Sequence, residues 1–148
     1  MMIGEEIYSY KVDVLEMIDY GQKLGHLVSG KVPPKPYGAR IDGHVSGTVE
    51  GRLAGKITGS DFLYVRPDGR MELDIRARID TEDGCRVALH AAGIGTFRES
   101  EPAMELVEHV RLYSAFDAYE WVNGCQIWAR GVANLSAGTI VTTGYLPE

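Results

Sequence analysis

Along "RMELDIRARID", Arg70 to Asp80, the residues Glu72, Asp74, Arg76, Arg78 and Asp80 take every second position, with Met71, Leu73, Ile75, Ala77 and Ile79 between them. A period of two belongs to a strand with one apolar and one polar face, whereas a helix would scatter the same charges around its circumference. "IYSYKVDVL", residues 7 to 15, alternates in the same way, with Tyr8, Tyr10, Val12 and Val14 on one side. "VRLYSAF", "YEWVNGCQIWARGVAN" and "GTIVTTGYL" read as further strands in the last third of the chain. Two Asp-Gly pairs, in "RPDGR" and "TEDGC", sit between strand patterns, the strongest short-range signal for a hairpin. They predict a meander of three strands over 61–66, 70–80 and 86–93, and Asn123-Gly124 is a further candidate turn.

Gly43, Gly47, Gly51, Gly55 and Gly59 recur at every fourth residue, sharing parity with Val45, Val49, Leu53 and Ile57. A helix of small residues would carry this spacing too, but each helical glycine costs about 1 kcal/mol, and Thr, Val and Ile favour strands. Glycines inside strands mark bends and close approaches of another backbone, as in a coiled sheet that closes on itself. Two stretches break the pattern. The Gly/Pro-rich passage from Gly21 to Gly38, with prolines at 33, 34 and 36, predicts a long surface loop or lid without a helix. "RESEPAMELVE", residues 98 to 108, predicts a short helix capped by Ser100 with Pro102 in its first turn, or else a loop. The expectation is an all-β chain: one domain over 1–148, an antiparallel β-barrel of about eight strands, closed or nearly so, with at most a short helix.

Composition narrows the function classes. The net charge of −6 comes with no basic run or Lys/Arg stripe, so neither a nucleic acid nor an anionic membrane surface is an expected partner. The acidic N-terminal stretch is unlike a signal peptide, and no apolar run approaches a membrane span, so a cytoplasmic location is expected. Cys85 and Cys125 lack metal-ligand spacing and read as two reduced thiols. "GRLAGKI" has the wrong spacing for a phosphate loop, and the four histidines fall on different elements. No metal and no cofactor is expected.

"GKITGSDF", "RPDGRMELDIRARIDTEDG" and "AYEWVN" resemble a bacterial family known as domain of unknown function 3237, over about two thirds of the chain. The family pattern runs Gly-x-x-x-Gly-Gly-Ala-Asp-Trp, an Asp-Gly turn, a strand ending Asp-x-Arg, a Thr-x-Asp-Gly turn and a late Tyr-x-Trp-Leu-Asn. Here Gly59-Ser60-Asp61-Phe62 replaces Gly-Ala-Asp-Trp, so the pocket mouth is expected to differ, and "PAMELVEHV" has no counterpart. The resemblance implies a calycin-like or allene-oxide-cyclase-like closed barrel, usually a homo-oligomer, with a dimer favoured. It does not supply a function.

The charged row of 72–80 faces either solvent or the lumen. For a generic strand solvent is the expectation; the family's Asp-x-Arg, which falls on Asp74 and Arg76, sets an inward orientation against it. In that orientation Met71, Leu73 and Ile75 face a partner subunit or a covering segment, and Arg76 holds a carboxylate or enolate oxygen with Asp74 as its ionic partner. Asp61 is the better candidate base, since a desolvated carboxylate beside Phe62, Tyr119 and Trp121 would have a raised pKa; a turn-capping Asp is the alternative. Tyr119 and Asn123 share a strand face with Trp121 and can donate hydrogen bonds to an oxyanion. His90 can act as acid or base beside small neighbours, or be structural. Arg40 and Glu50 complete the expected lining. The expected activity is cofactor-independent acid–base chemistry (isomerisation, cyclisation or elimination) on a small apolar or aromatic carbonyl or carboxylate compound. The alternative is a non-catalytic carrier of a hydrophobic ligand.

Overall fold

In a computed structural model, which describes residues 3–98 and 102–147, the chain is a closed antiparallel barrel of eight strands in sequence order. The strands are β1 (Ile3–Asp19), β2 (Ala39–Gly51), β3 (Gly55–Val65), β4 (Met71–Thr81), β5 (Arg86–Arg98), β6 (Ala103–Tyr113), β7 (Ile127–Asn134) and β8 (Thr139–Pro147). Each pairs with the next, and β8 returns to β1, where Tyr10 pairs with Thr142. Closure leaves no free edge. The alternating pattern sets the register: on β4, Met71, Leu73, Ile75 and Ile79 are buried while Glu72, Arg76 and Arg78 are exposed. A slip of one residue would turn every apolar side chain outward.

Closure depends on the glycines the sequence spaces so regularly. A Cβ at Gly59 would lie 2.5 Å from the Arg76 carbonyl oxygen and 2.6 Å from the Ala77 Cβ on β4. One at Gly47 or Gly55 would run into the backbone oxygens of Lys11 or Asp80. Neighbouring strands therefore approach across these positions more closely than any side chain permits. Gly43 is different, since a Cβ there would meet nothing within 4 Å. The Asp68-Gly69 and Asp83-Gly84 turns form as expected, with positive φ of 88° and 84° at the glycines.

Several elements differ from the sequence reading. β1 extends to 17 residues, with a register shift between Val14 and Glu16. The 21–38 passage holds one helical turn, α1 (Leu24–Val28), because its prolines all lie beyond it. Where a break was expected at 98–108, β6 begins at Ala103, and the proposed Ser100 cap lies outside the described residues. "YEWVN" is not a strand; it belongs to a 3-10 helix, Asp117–Gly124, and Asn123-Gly124 ends that helix instead of turning a hairpin. Asn123 fixes the helix by accepting from the Ser114 N–H at 3.1 Å and donating to the Ser114 carbonyl at 2.7 Å. Val122 is fully buried, as are Leu53 in the β2–β3 turn and Ile7, and these three close one end of the barrel.

Candidate functional site

The opposite end holds a cavity of about 370 Å³. Its wall is mostly apolar, made by Val14, Ile41, Val45, Leu63, Leu73, Leu106 and Ile140, with Gly43 adding open space and Glu16, Asn134 and Thr139 also in the lining. Leu24 of α1 and Leu135, after β7, also line it, so the 21–38 passage lies over this end as a lid would. The volume is that of a small-ligand site.

Asp61 enters this wall from β3. It shares parity with Ile57, Gly59 and Leu63, so the strand that buries those residues points its carboxyl inward. Asp61 Oδ1 accepts the backbone N–H of Asp74 at 3.1 Å. Burial raises its pKa to about 6; the backbone hydrogen bond opposes the rise, and the Asp74 charge adds to it.

One inward-facing position beyond Leu106 on β6 stands Glu108, 2% exposed. Burial, and then the charge of Asp61, push its pKa up to about 7. β1 contributes Tyr8 and Tyr10, whose rings stack 6.0 Å apart at 7°. Both phenols are held above their ordinary value, chiefly by burial, and Glu108 adds to the effect. β8 contributes Thr142, fully buried one inward-facing position beyond Ile140. Tyr8 Oη, Glu108 Oε2 and Thr142 Oγ1 are buried with no hydrogen-bond partner among the described residues. No Lys, Arg or His is among the buried described residues, so neither lumenal carboxyl meets a buried cation.

Of the residues the sequence proposed, Asp61 alone lies in the cavity wall. Asp74 and Arg76 point outward, with side chains 45% and 66% exposed, and pair with each other at 3.7 Å. An inward orientation is corrected for a simple reason: with Met71, Leu73 and Ile75 filling the lumen, period two leaves the charges only the outside. Those three residues consequently do not face a partner subunit. His90 lies on the same outer surface, its Nε2 3.2 Å from Asp74 Oδ1. Arg40 and Phe62 are also outside, the guanidinium 5.7 Å from the Phe62 ring, and Arg40 clamps Asp42 with hydrogen bonds of 2.9 and 3.1 Å. Glu50 is exposed. Tyr119, Trp121 and Asn123 lie at the closed end, where Tyr119 donates to Asp83 at 3.0 Å and Trp121 stacks under Arg52 at 3.9 Å. The structure thus brings Arg40, Phe62, Asp74, Arg76 and His90 to one outer face, away from the cavity. Both cysteines are free and half-buried.

Glu108, Tyr8, Tyr10 and Thr142 were missed. The signal was there: Glu108 shares parity with Met104, Leu106, Val110 and Leu112, so on a strand it is a charge within an apolar row. Among the described residues no group of His, Cys, Asp and Glu is arranged to hold a metal, and no helix is long and apolar enough to cross a membrane.

A family model described as "Protein of unknown function (DUF3237)" matches residues 30–145. No curated protein matches the sequence. Among solved structures, a protein of unknown function from Clostridium acetobutylicum ATCC 824 is similar over 100% of both chains, with TM-score 0.79 and 22% identity. A β-barrel-like protein from Acinetobacter baumannii AYE is similar over 98% of this chain and 94% of its own, with TM-score 0.75 and 18% identity. A structure described as an enzyme from Penicillium herquei is similar over 95% of this chain and 92% of its own, with TM-score 0.65 and 16% identity. At these identities the likeness is one of fold.

Proposed function

Because the chain belongs to the DUF3237 family, whose function is not assigned, we propose its activity from the lumen itself: the barrel admits a small, largely apolar carbonyl compound, and Asp61 moves a proton on it. The observation that carries this is a largely desolvated carboxyl in a mostly apolar cavity wall, with its pKa raised to about 6. A base in that range is ionised at neutral pH yet basic enough to accept a proton in a transition state. Oδ1 is oriented by the Asp74 N–H, and among the described residues Oδ2 accepts no hydrogen bond.

The step balances without a cofactor. The Asp61 carboxylate takes a proton from the carbon next to the carbonyl; the C–H bond breaks, an O–H bond forms, and the electron pair moves onto the carbonyl oxygen as an enolate. Return of the proton to another carbon completes an isomerisation. Attack by the enolate carbon on a second centre gives a cyclisation, and departure of a β-substituent gives an elimination. Arg76, Tyr119 and Asn123 lie too far outside the cavity to steady the enolate, and a carboxylate-bearing substrate would meet no buried cation. The enzyme from Penicillium herquei lends the reading support at the level of fold only.

The test is Asp61→Asn with a panel of small ketones, enones and aromatic carbonyl compounds. The proposal expects deuterium exchange at the α-carbon in the wild type, a loss of about 10²–10⁴-fold in the variant, and retained affinity. A second reading, a non-catalytic carrier, is favoured by the apolar character of the wall. It wins if ligands bind both proteins equally and no exchange or turnover is catalysed by either.

A further inference from the structure

The hydroxyls of Tyr8 and Thr142 and the Oε2 of Glu108 pose a problem that the Asp61 mechanism does not solve. Each is buried, and none is paired. A buried polar group without a partner costs about 1–3 kcal/mol, so three in one region oppose folding without return inside the protein. Phe, Val and Leu would fill the same positions at no such cost.

Their placement is not scattered. Glu108 and Thr142 occupy the inward-facing positions immediately behind Leu106 and Ile140, both of which line the cavity. The Glu108 carboxyl lies close enough to feel the charge of Asp61, itself in the cavity wall. The three groups therefore form a polar layer, a floor, one inward-facing step below the apolar wall and outside the residues that line the chamber itself.

We infer that this floor recognises the oxygen of an uncharged ligand, a ketone, enone or phenol, through the protonated carboxyl of Glu108 and the hydroxyls of Tyr8 and Thr142. The inference rests on the reading of Asp61 as base and names the substrate class for that site. Its chemistry follows from the charges. A carboxylate ligand would enter a lumen that already holds two carboxyls and no buried cation. An uncharged oxygen accepts hydrogen bonds from O–H donors that otherwise have none, and the same donors strengthen their hold as negative charge builds on that oxygen. A carboxylic acid kept neutral by an apolar site is a known way of supplying such a donor. Glu108 faces Asp61 from β3 and Tyr8 and Tyr10 from β1, with the Thr142 hydroxyl on β8; its strand partners on β5 and β7, Gly93 and Ala129, bring no titratable group. Burial, and after it the charge of Asp61, keeps the proton on Glu108.

The experiment measures the affinity of three two-ring aromatics of matched size, 2-naphthol, 2-naphthoate and 2-naphthylmethylammonium, for the whole protein from pH 5.5 to pH 8. The expected result is that 2-naphthol binds at least tenfold more tightly than either ion at pH 6 and loses most of that advantage by pH 8. Glu108→Gln, which keeps a donor that does not titrate, should flatten the pH response. Tyr8→Phe should weaken 2-naphthol binding severalfold without lowering the denaturation midpoint, because its hydroxyl holds no internal hydrogen bond, and Thr142→Val, whose hydroxyl lies beside Tyr10, should weaken it as well. Tightest binding by the ammonium, equal binding of all three, or hydroxyl deletions that lower stability and leave affinity untouched would overturn the inference. Asp61→Asn separates the two readings: if it spares catalysis the base assignment fails, and 2-naphthol recognition by the floor is judged on its own.

Discussion

Replacing Glu108 by Gln removes one lumenal ionisable group while preserving its shape, and the consequence for folding stability can be worked out in advance. Folding raises Glu108 from an ordinary 4.5 to about 7 and Asp61 from 3.8 to about 6. In each case the folded protein holds the proton more tightly than the unfolded chain, so stability falls as the pH rises through the folded values. At about 1.36 kcal/mol per pKa unit, each group withdraws roughly 3 kcal/mol once ionised. Part of the Asp61 loss is already incurred by pH 5, which leaves a combined fall of about 4 kcal/mol between pH 5 and pH 8. Asp42, Asp80, Asp83 and Glu105 have lowered pKa values, so the stability they contribute is lost only on acidification below this window. A fall of about 4 kcal/mol is a large share of the 5–15 kcal/mol typical of a native domain. Urea unfolding at pH 5, 6, 7 and 8 should show the wild type losing stability at each step. Glu108→Gln should match the wild type near pH 5 and exceed it by roughly 2–3 kcal/mol at pH 8. A wild type whose stability stays level or rises over this range would refute the reasoning, as would a variant no more stable than the wild type at pH 8.

Three further outcomes follow from the barrel geometry. Gly59→Ala should destabilise by at least 1–3 kcal/mol in thermal or urea unfolding, because its Cβ meets β4 backbone, whereas Gly43→Ala should be tolerated. Gly43→Leu should keep the fold, by circular dichroism, and abolish 2-naphthol binding by filling the cavity. Arg76→Ala should change stability by less than about 0.5 kcal/mol and leave ligand affinity unchanged, because the guanidinium is exposed on the outer face.

The strands were legible because alternation is a direct consequence of a surface with an inside and an outside. The Asp68-Gly69 and Asp83-Gly84 turns were legible because positive φ at the second residue demands glycine. The glycine series announced closure, and Gly47, Gly55 and Gly59 do sit where backbones meet. What misled was weight given to residue identity over parity. Asp74 and Arg76 are conspicuous, yet their own strand offers the lumen a better row in Met71, Leu73 and Ile75. Glu108 was passed over because Pro102 suggested a break, although read as a strand the segment puts this one acid in a row with Met104, Leu106, Val110 and Leu112. Asp61 was expected to be desolvated by Phe62, Tyr119 and Trp121; it does line the cavity, but its neighbours there are mainly aliphatic, and parity with Ile57 and Leu63 is what turns it inward. "AYEWVN" was out of reach: its alternation mimics a strand, and only the clamp between Asn123 and Ser114, set by the fold, makes it a 3-10 cap over the barrel end.

Side-chain carboxyl carbon NMR, recorded from pH 3 to pH 9 with Asp61→Asn and Glu108→Gln used for assignment, puts the central claim to its most direct test. The account predicts one resonance titrating near 6 and another near 7, with Asp42, Asp80, Asp83 and Glu105 finishing well below both. Midpoints near 4 for both Asp61 and Glu108 would mean that the lumen solvates or neutralises its acids, and the chemistry proposed for it would not stand.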